Sequence, residues 1–505
     1  MEKYLYTPKN NTESYKLWMA YPACEAFAMA SLGYLWLSKI AEEDSNIYAE
    51  KVFTDSKTTI LNIKEVGAIA FSVSFDFDFI GVFEILEKNN IPLLSQDRDD
   101  NYPLIFAGGP VITTNPEPYS NIYDFMIIGD GEDVFIKVLE ILSKKESKTE
   151  TLKKLANISG VYVPKINTKV KKVTADLNNV IYTPIISKKS YFKDTFIIEI
   201  SRGCMNRCAF CTASYTNLPF RYYDYDKIIE IIDLGLKYTN KIALLGAQLS
   251  AHPEFISIMK YLENKIDNGE NLEIGISSLR TDSVTPEIIK ILTKGGQKTS
   301  TIAIEAASER LRKIINKNLN EEQIINAVRI SRENGLKGIK IYSMIGIPTE
   351  NQTDIDEFIR LAKTLKTENK GFDITFSFSS FVPKPQTPFQ WEKREETKTL
   401  EQKQKYIEKE MAKLGISTKF SSIKWDYWQT ILSRGDSSLT EFLVSVYKKG
   451  GKIGAYKSSA KDLKLNLEKF INKQDYEIDL PWDFIENYPP KQLLINENKR
   501  LHKFL

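Results

Sequence analysis

The first 190 or so residues alternate short apolar runs with amphipathic stretches of helical length. Runs 68–74, 103–107 and 125–128 are almost wholly apolar, as in strands covered on both faces, whereas 79–88 and 134–142 carry apolar side chains at helical spacing. Glycine marks the strand ends, with Gly108-Gly109 after the second run and Gly129-Asp130-Gly131-Glu132 after the third. Strands alternating with helices predict a parallel, doubly wound α/β (Rossmann-like) sheet. Ligands of such sheets sit at the carboxyl ends of the strands. The Lys/Glu/Ser/Thr stretch 143–154 reads as a solvated helix, 158–164 as a short extended passage, and the lysine-rich 164–179 as a connecting hairpin or linker.

From 196 to 388 the alternation resumes in longer units, with candidate strands at 196–201, 241–245, 272–277, 301–305, 338–344 and 373–378. Periodicity alone does not separate a partial barrel from a second wound sheet. After Trp391 the pattern turns helical, with a charged segment at 395–413 and aromatic anchors at Trp425, Trp428 and Trp482. A chain of 505 residues exceeds one ordinary core. The expected division is an α/β domain over 1–185, a second over 190–392, and a helical accessory domain over 393–505 closing the mouth of the second.

With 42% hydrophobic and 27% charged residues the composition is that of a globular protein, and nothing suggests disorder. The net charge of +3 argues neither for nor against a nucleic-acid partner. The apolar stretch 17–37 contains Pro22, Glu25 and Gly33, and 67–83 is interrupted by Asp76 and Asp78. Neither is expected to act as a signal peptide or to cross a membrane. Four cysteines, three of them clustered, fit a reducing cytoplasm.

Those three lie in Cys204-x3-Cys208-x2-Cys211, directly after the apolar run 195–200. Such a loop can give three thiolates to a cubane iron-sulfur cluster and leave its fourth iron without a protein ligand. A zinc knot is the competing reading, but zinc takes four ligands, and Cys24, His252 and His502 each stand alone and far off in sequence. A disulfide would leave an odd thiol. Residues 295–300, Gly-Gly-Gln-Lys-Thr-Ser, lack the glycine spacing of a phosphate-binding loop and precede a strand rather than a helix.

With its aromatic Phe210 before the last cysteine, the loop resembles that of the radical S-adenosylmethionine (radical SAM) enzymes. The resemblance implies a [4Fe-4S] cluster on Cys204, Cys208 and Cys211, SAM chelated by the open iron, a 5'-deoxyadenosyl radical after reduction, and a partial (β/α)6 barrel over 190–392. An electron donor such as flavodoxin or ferredoxin is implied as partner. In a barrel, polar residues at strand ends face the site. That position singles out Gln248, Ser278, Arg280 and Glu305, together with Gly346 of a glycine-proline turn beside the adenine. Gln248 stands where the family's common form has an acid, so a neighbouring backbone carbonyl is the expected contact. The structural alternatives are that Gly346 simply ends a strand and that Glu305 is an ion-pair partner of Arg280. His252 is either a substrate acid or base or a helix-start residue.

Further landmarks, among them Tyr21-Pro22, Ser31-Leu32-Gly33, Gly108-Gly109, Gly129-Asp130-Gly131-Glu132, Arg434-Gly435-Asp436 and Leu480-Pro481-Trp482, resemble a subgroup of uncharacterised radical SAM proteins with an N-terminal cobalamin-binding-like domain. One departure is that the N-terminal region has no histidine, so any cobalamin would lack the Asp-x-His-x-x-Gly ligand to cobalt. Hydrogen abstraction from an unidentified substrate is the expected reaction. The alternatives are a cobalamin-dependent methyltransferase and a non-catalytic, metal-stabilised binding module. RNA is a further partner to consider, because eight lysines between Lys448 and Lys473 face only Asp462 and Glu468, although a solvated helix accounts for the same pattern.

Overall fold

The computed structural model describes residues 2–9 and 11–503. Its first sheet runs β1 (Tyr15–Tyr21), β2 (Ile47–Phe53), β3 (Ala68–Ser72), β4 (Leu104–Gly108), β5 (Phe125–Ile127) and β6 (Val161–Tyr162), in the order β2-β1-β3-β4-β5-β6. All neighbours are parallel except β6, which runs against β5. Alternate side chains serve the two faces. Leu17, Met19, Ala70 and Phe106 pack under helices α1 (Leu32–Glu43) and α3 (Glu132–Leu142), whereas Trp18, Ile69, Phe71 and Ile105 pack on the side of α2 (Phe79–Lys88). The apolar stretch at 17–37 thus divides into most of a buried strand, a turn and the start of a helix. The edge strand β2 carries no clear sequence signal, since Glu50 and Lys51 interrupt its apolar pattern.

The second unit has strands β7 (Phe196–Glu199), β8 (Lys241–Leu245), β9 (Glu273–Ile276), β10 (Thr299–Glu305), β11 (Gly338–Ile345) and β12 (Asp373–Ser380), matching the six expected positions to within a few residues. They form two parallel sheets, β7-β8-β9 and β10-β11-β12, joined by a parallel bridge between Leu279 and Ile302 into one open arc. Helices alternate with the strands, and two start with reciprocal caps, Asn320 with Gln323 on α4 (Glu321–Glu333) and Asn351 with Asp354 on α5 (Gln352–Glu368). Each such cap contributes about 1 kcal/mol.

The tail departs from the all-helical expectation. After α6 (Thr397–Lys413), a seventh parallel strand, β13 (Ser417–Phe420), extends the arc beside β12, with Phe420 stacked on Phe378 at 4.8 Å. Helices α7 (Ile423–Arg434), α8 (Thr440–Lys448) and α9 (Ile453–Asp462) then cover the second face of the N-terminal sheet, where Trp428, Phe442 and Tyr456 join Phe71 and Phe79 in one core. Asp76 seals this contact, accepting from Lys384 at 2.9 Å, Ser433 at 2.9 Å and Gln429 at 3.0 Å. The expected linker at 164–179 is also held, since Val170–Lys171 pairs with Ile485–Glu486. Among the described residues no helix is long and apolar enough to cross a membrane.

Candidate functional site

The three clustered cysteines sit in a loop pinned at both ends. Ser201 and Arg202 pair antiparallel with Tyr222 and Arg221, so the intervening residues leave and return at one point beyond the end of β7. Gly203 makes the first turn at φ +84°, with its α-carbon against the Asn217 carbonyl, where an added Cβ would lie 2.4 Å from that oxygen. Further on, Ala209 N–H donates to Ile315 O at 3.0 Å, Asn316 donates to Arg207 O at 2.9 Å, and Tyr215 OH donates to the same carbonyl at 2.8 Å. Phe210 packs against a buried cluster containing Ala306, Leu311, Met344 and Phe381. Gly203→Ala is therefore expected to combine a left-handed strain of about 1–2 kcal/mol with displacement of the Asn217 backbone. Its signature would be loss of at least about half the bound iron after reconstitution, with the far-ultraviolet circular dichroism spectrum unchanged.

All three thiols are free, with Cys204 and Cys208 buried. Burial pushes the Cys208 thiol up to about 12, against the pull of the nearby Lys317 ammonium, and Cys204 and Cys211 press in the same direction. Burial also raises Cys211, opposed by hydrogen bonds from Ser214. Metal binding requires the thiolates, so ligation would release these protons. The Asn206 amide donates to Cys204 Sγ at 3.4 Å and also to Gln248 Oε1.

Among the described residues no group of three or more His, Cys, Asp or Glu side chains, the three thiols included, is gathered closely enough to hold a metal ion. The thiols nevertheless feel one another electrostatically, and His252 does not complete a zinc set. Its Nε2 donates to Tyr223 O at 2.8 Å and its Nδ1 accepts from Glu254 N–H at 3.0 Å. Three soft donors on one loop fit a cluster with one open iron. The same bonds remove His252 from consideration as a substrate acid or base, because both ring nitrogens serve the backbone. Breaking them with His252→Ala should cost about 1–3 kcal/mol of stability, read as a lower urea midpoint, while turnover per folded molecule stays at the wild-type value.

The strand-end residues divide. Gln248 reaches the loop, its Oε1 3.6 Å from Cys204 Sγ. Glu305 ends β10 at a bulge with φ +64° and pairs with Lys317 at 3.2 Å, not with Arg280. Arg280 turns instead to Asp282 at 2.8 Å and to Asn318 O at 3.1 Å, because a carboxylate two residues away competes locally. Ser278 is exposed, and Gly346, at φ +77°, gives its N–H to Glu350 at 2.8 Å. Sequence reasoning missed Lys317 and Asn206. Neither carries a pattern, and both matter only through contacts.

A cavity of about 390 Å³ opens between the first sheet and this loop. Ser72, Gly108 and Asp130, at or just past the carboxyl ends of β3, β4 and β5, line one side, and Glu199, Arg202 and Asn217 line the other. This is where a sheet of order 2-1-3-4-5 places its ligand. Burial works to raise the Asp130 carboxyl, but Arg202 and Arg221 outweigh it and hold it below the usual carboxylate range.

Comparison with known proteins places these features in a family. The family described as "Radical SAM superfamily" matches residues 198–362, and "Radical SAM proteins, N-terminal" matches residues 41–164. An uncharacterized protein of Methanocaldococcus jannaschii is 33% identical over 386 residues, covering 75% of this chain and 80% of the relative. An uncharacterized methyltransferase of Pyrococcus horikoshii is 25% identical over 369 residues, covering 68% and 75%. Among solved structures, the cobalamin-dependent S-adenosylmethionine radical enzyme OxsB, with aqua-cobalamin and S-adenosylmethionine bound, has a TM-score of 0.57 at 15% identity, over 97% of this chain and 76% of that one. At that identity the likeness concerns the fold.

Proposed function

This chain belongs to the radical SAM superfamily, whose members use a [4Fe-4S] cluster and SAM, and from that premise we propose that Cys204, Cys208 and Cys211 hold the cluster and that SAM lies against it under the ends of β8 to β11. The observation that carries the assignment is the trio of free thiols on one loop pinned at the end of a barrel strand. A cluster bound there supplies the electron that cleaves the sulfonium of SAM to methionine and a 5'-deoxyadenosyl radical. The chain's own residues position and shield that chemistry. The Asn206 amide donates to the first sulfur, and the Lys317 ammonium offsets negative charge near Cys208. Glu305 and Lys317, paired at a strand end, are the groups of opposite sign suited to the ammonium and carboxylate of SAM. The exposed Ser278 hydroxyl suits the ribose, and Gly346 the adenine side. Gln248 is held to the loop through Asn206, and Arg280, committed to Asp282, orients the strand end rather than gripping substrate. Phe210 anchors the end of the loop on the apolar cluster of Ala306, Leu311, Met344 and Phe381. Anaerobically purified protein is expected to be brown, with about four irons and four sulfides per chain. Colourless protein holding one zinc would replace this reading with a metal-stabilised binding module.

A second reading rests on the 390 Å³ cavity, which opens onto the residue two before the first cysteine. Its place at the carboxyl ends of β3, β4 and β5 is where such a sheet takes its ligand, and a cobalamin there would bind without a histidine on cobalt, because the chain's two histidines are His252 and His502. An occupied cavity would allow methyl transfer in addition to hydrogen abstraction, and the relative named a methyltransferase points the same way. Hydroxocobalamin titrated into the protein should then bind with a change in visible absorbance. Gly108→Val, whose Cβ meets the protein at an ordinary 3.6 Å, would intrude on the cavity and weaken binding at least about tenfold. No spectral change in the wild type leaves hydrogen abstraction as the reaction.

A reductant such as flavodoxin or ferredoxin is the partner this chemistry needs. An RNA partner along Lys448–Lys473 is a weaker reading, since Lys449 and Lys469 are already paired with Asp462 and Asp436. A salt-titrated shift assay on the full chain decides it: retardation that weakens steeply with salt supports RNA, and none removes it.

A further inference from the structure

Arg202 and Arg221 are direct partners in the short ladder that closes the base of the cysteine loop. Both reach the same carboxylate. Arg202 Nη1 lies 3.2 Å from Asp130 Oδ1, and Arg221 Nη1 donates to Asp130 Oδ2 at 2.9 Å. Asp130 belongs to the other half of the molecule, in the turn between β5 and α3, and so one side chain of the N-terminal sheet bridges the outgoing and returning strands of the loop. The residues between those strands, including all three thiols, leave and return through this ladder.

The surroundings make the bridge rigid. Arg202 also donates to both oxygens of Glu199, at 2.9 and 2.7 Å, and lies 2.7 Å from Glu132. Arg221 donates to Ala175 O as well, and Asp130 accepts from Ala175 N–H at 3.0 Å. The side chains of Arg202, Arg221 and Asp130 are 13%, 15% and 16% exposed, so the pairs are shielded from water and held in bidentate or multiply bonded geometry. An exposed ion pair would contribute little; a network of this kind orders its members. Asp130 also lines the cavity, which gives that space a direct mechanical route to the loop.

We propose that Asp130 is a positioning residue for the metal centre: through Arg202 and Arg221 the N-terminal domain sets where the cysteine loop stands. This rests on the reading of the loop as a cluster site, but its test does not depend on the cluster alone. Native-state hydrogen exchange on the full chain should show amides of 203–220 exchanging at least about tenfold faster in Asp130→Asn than in wild type, with the barrel helices α4 and α5 unchanged. Arg221→Gln, which leaves the N-terminal domain intact, should reproduce the effect, and the double variant should add little beyond either single one. After anaerobic reconstitution, the reduced variants should retain their iron but show altered electron paramagnetic resonance g-values, a change that general loss of stability would not produce. Wild-type loop exchange in both variants would overturn the proposal. If Asp130→Asn does not fold, Arg221→Gln carries the same decision. Wild-type protein that binds no iron would remove the cluster reading, and the exchange data would still decide whether Asp130 positions the loop.

Discussion

Cys208→Ala is expected to leave the chain without its iron-sulfur cluster and to lower 5'-deoxyadenosine formation by more than about a thousandfold, a barrier increase of about 4 kcal/mol. The loop supplies three thiols, so removal of one leaves two, too few to retain a cubane. Cys208 is also buried, and Asn206 and Gln248 are engaged with each other and with Cys204. Iron and sulfide assays with product chromatography on the same sample check both parts. Retention of a full cluster and of product would show that the loop is not the cofactor site.

Glu305→Gln should have the largest effect on stability outside the loop. Lys317 is 8% exposed and its partner is Glu305, so neutralising the carboxylate leaves a buried ammonium uncompensated. Breaking such a pair costs about 3–5 kcal/mol, whereas removing both charges is far less harmful. Glu305→Gln combined with Lys317→Met should therefore recover most of the lost stability in urea unfolding. SAM binding should remain weakened in both, if the pair also grips the amino-acid portion of SAM. Equal destabilisation by the single and double variants would show that Lys317 draws its stability from elsewhere.

The parts of this architecture that are local in sequence are legible there. The cysteine spacing lies within eight residues, and β8 spans the residues expected from its apolar run. Parts that depend on distant partners are not. Asp130 and Arg221 are 91 residues apart, and nothing in Gly129-Asp130-Gly131-Glu132 indicates that its acid would close a loop in the other half of the chain. Lys317 follows a short helix with no motif around it and acquires meaning only from Glu305 and Cys208. Arg280 shows the same limit from the other side: its strand-end position suggests a ligand contact but gives no sign of its partners Asp282 and Asn318 O. In the tail, the apolar periodicity identified helices but not their target. Trp428 and Tyr456 show that the target is the N-terminal sheet, whose exposed face would otherwise be a large apolar surface.

The central claim is that this chain reductively cleaves SAM at a cluster carried by Cys204, Cys208 and Cys211. Its most direct test is anaerobic incubation of reconstituted protein with SAM and dithionite, with 5'-deoxyadenosine measured against the Cys208→Ala variant. The account predicts 5'-deoxyadenosine from the wild type and none above background from the variant; equal yields from the two, or none from wild type with an intact cluster, would contradict it.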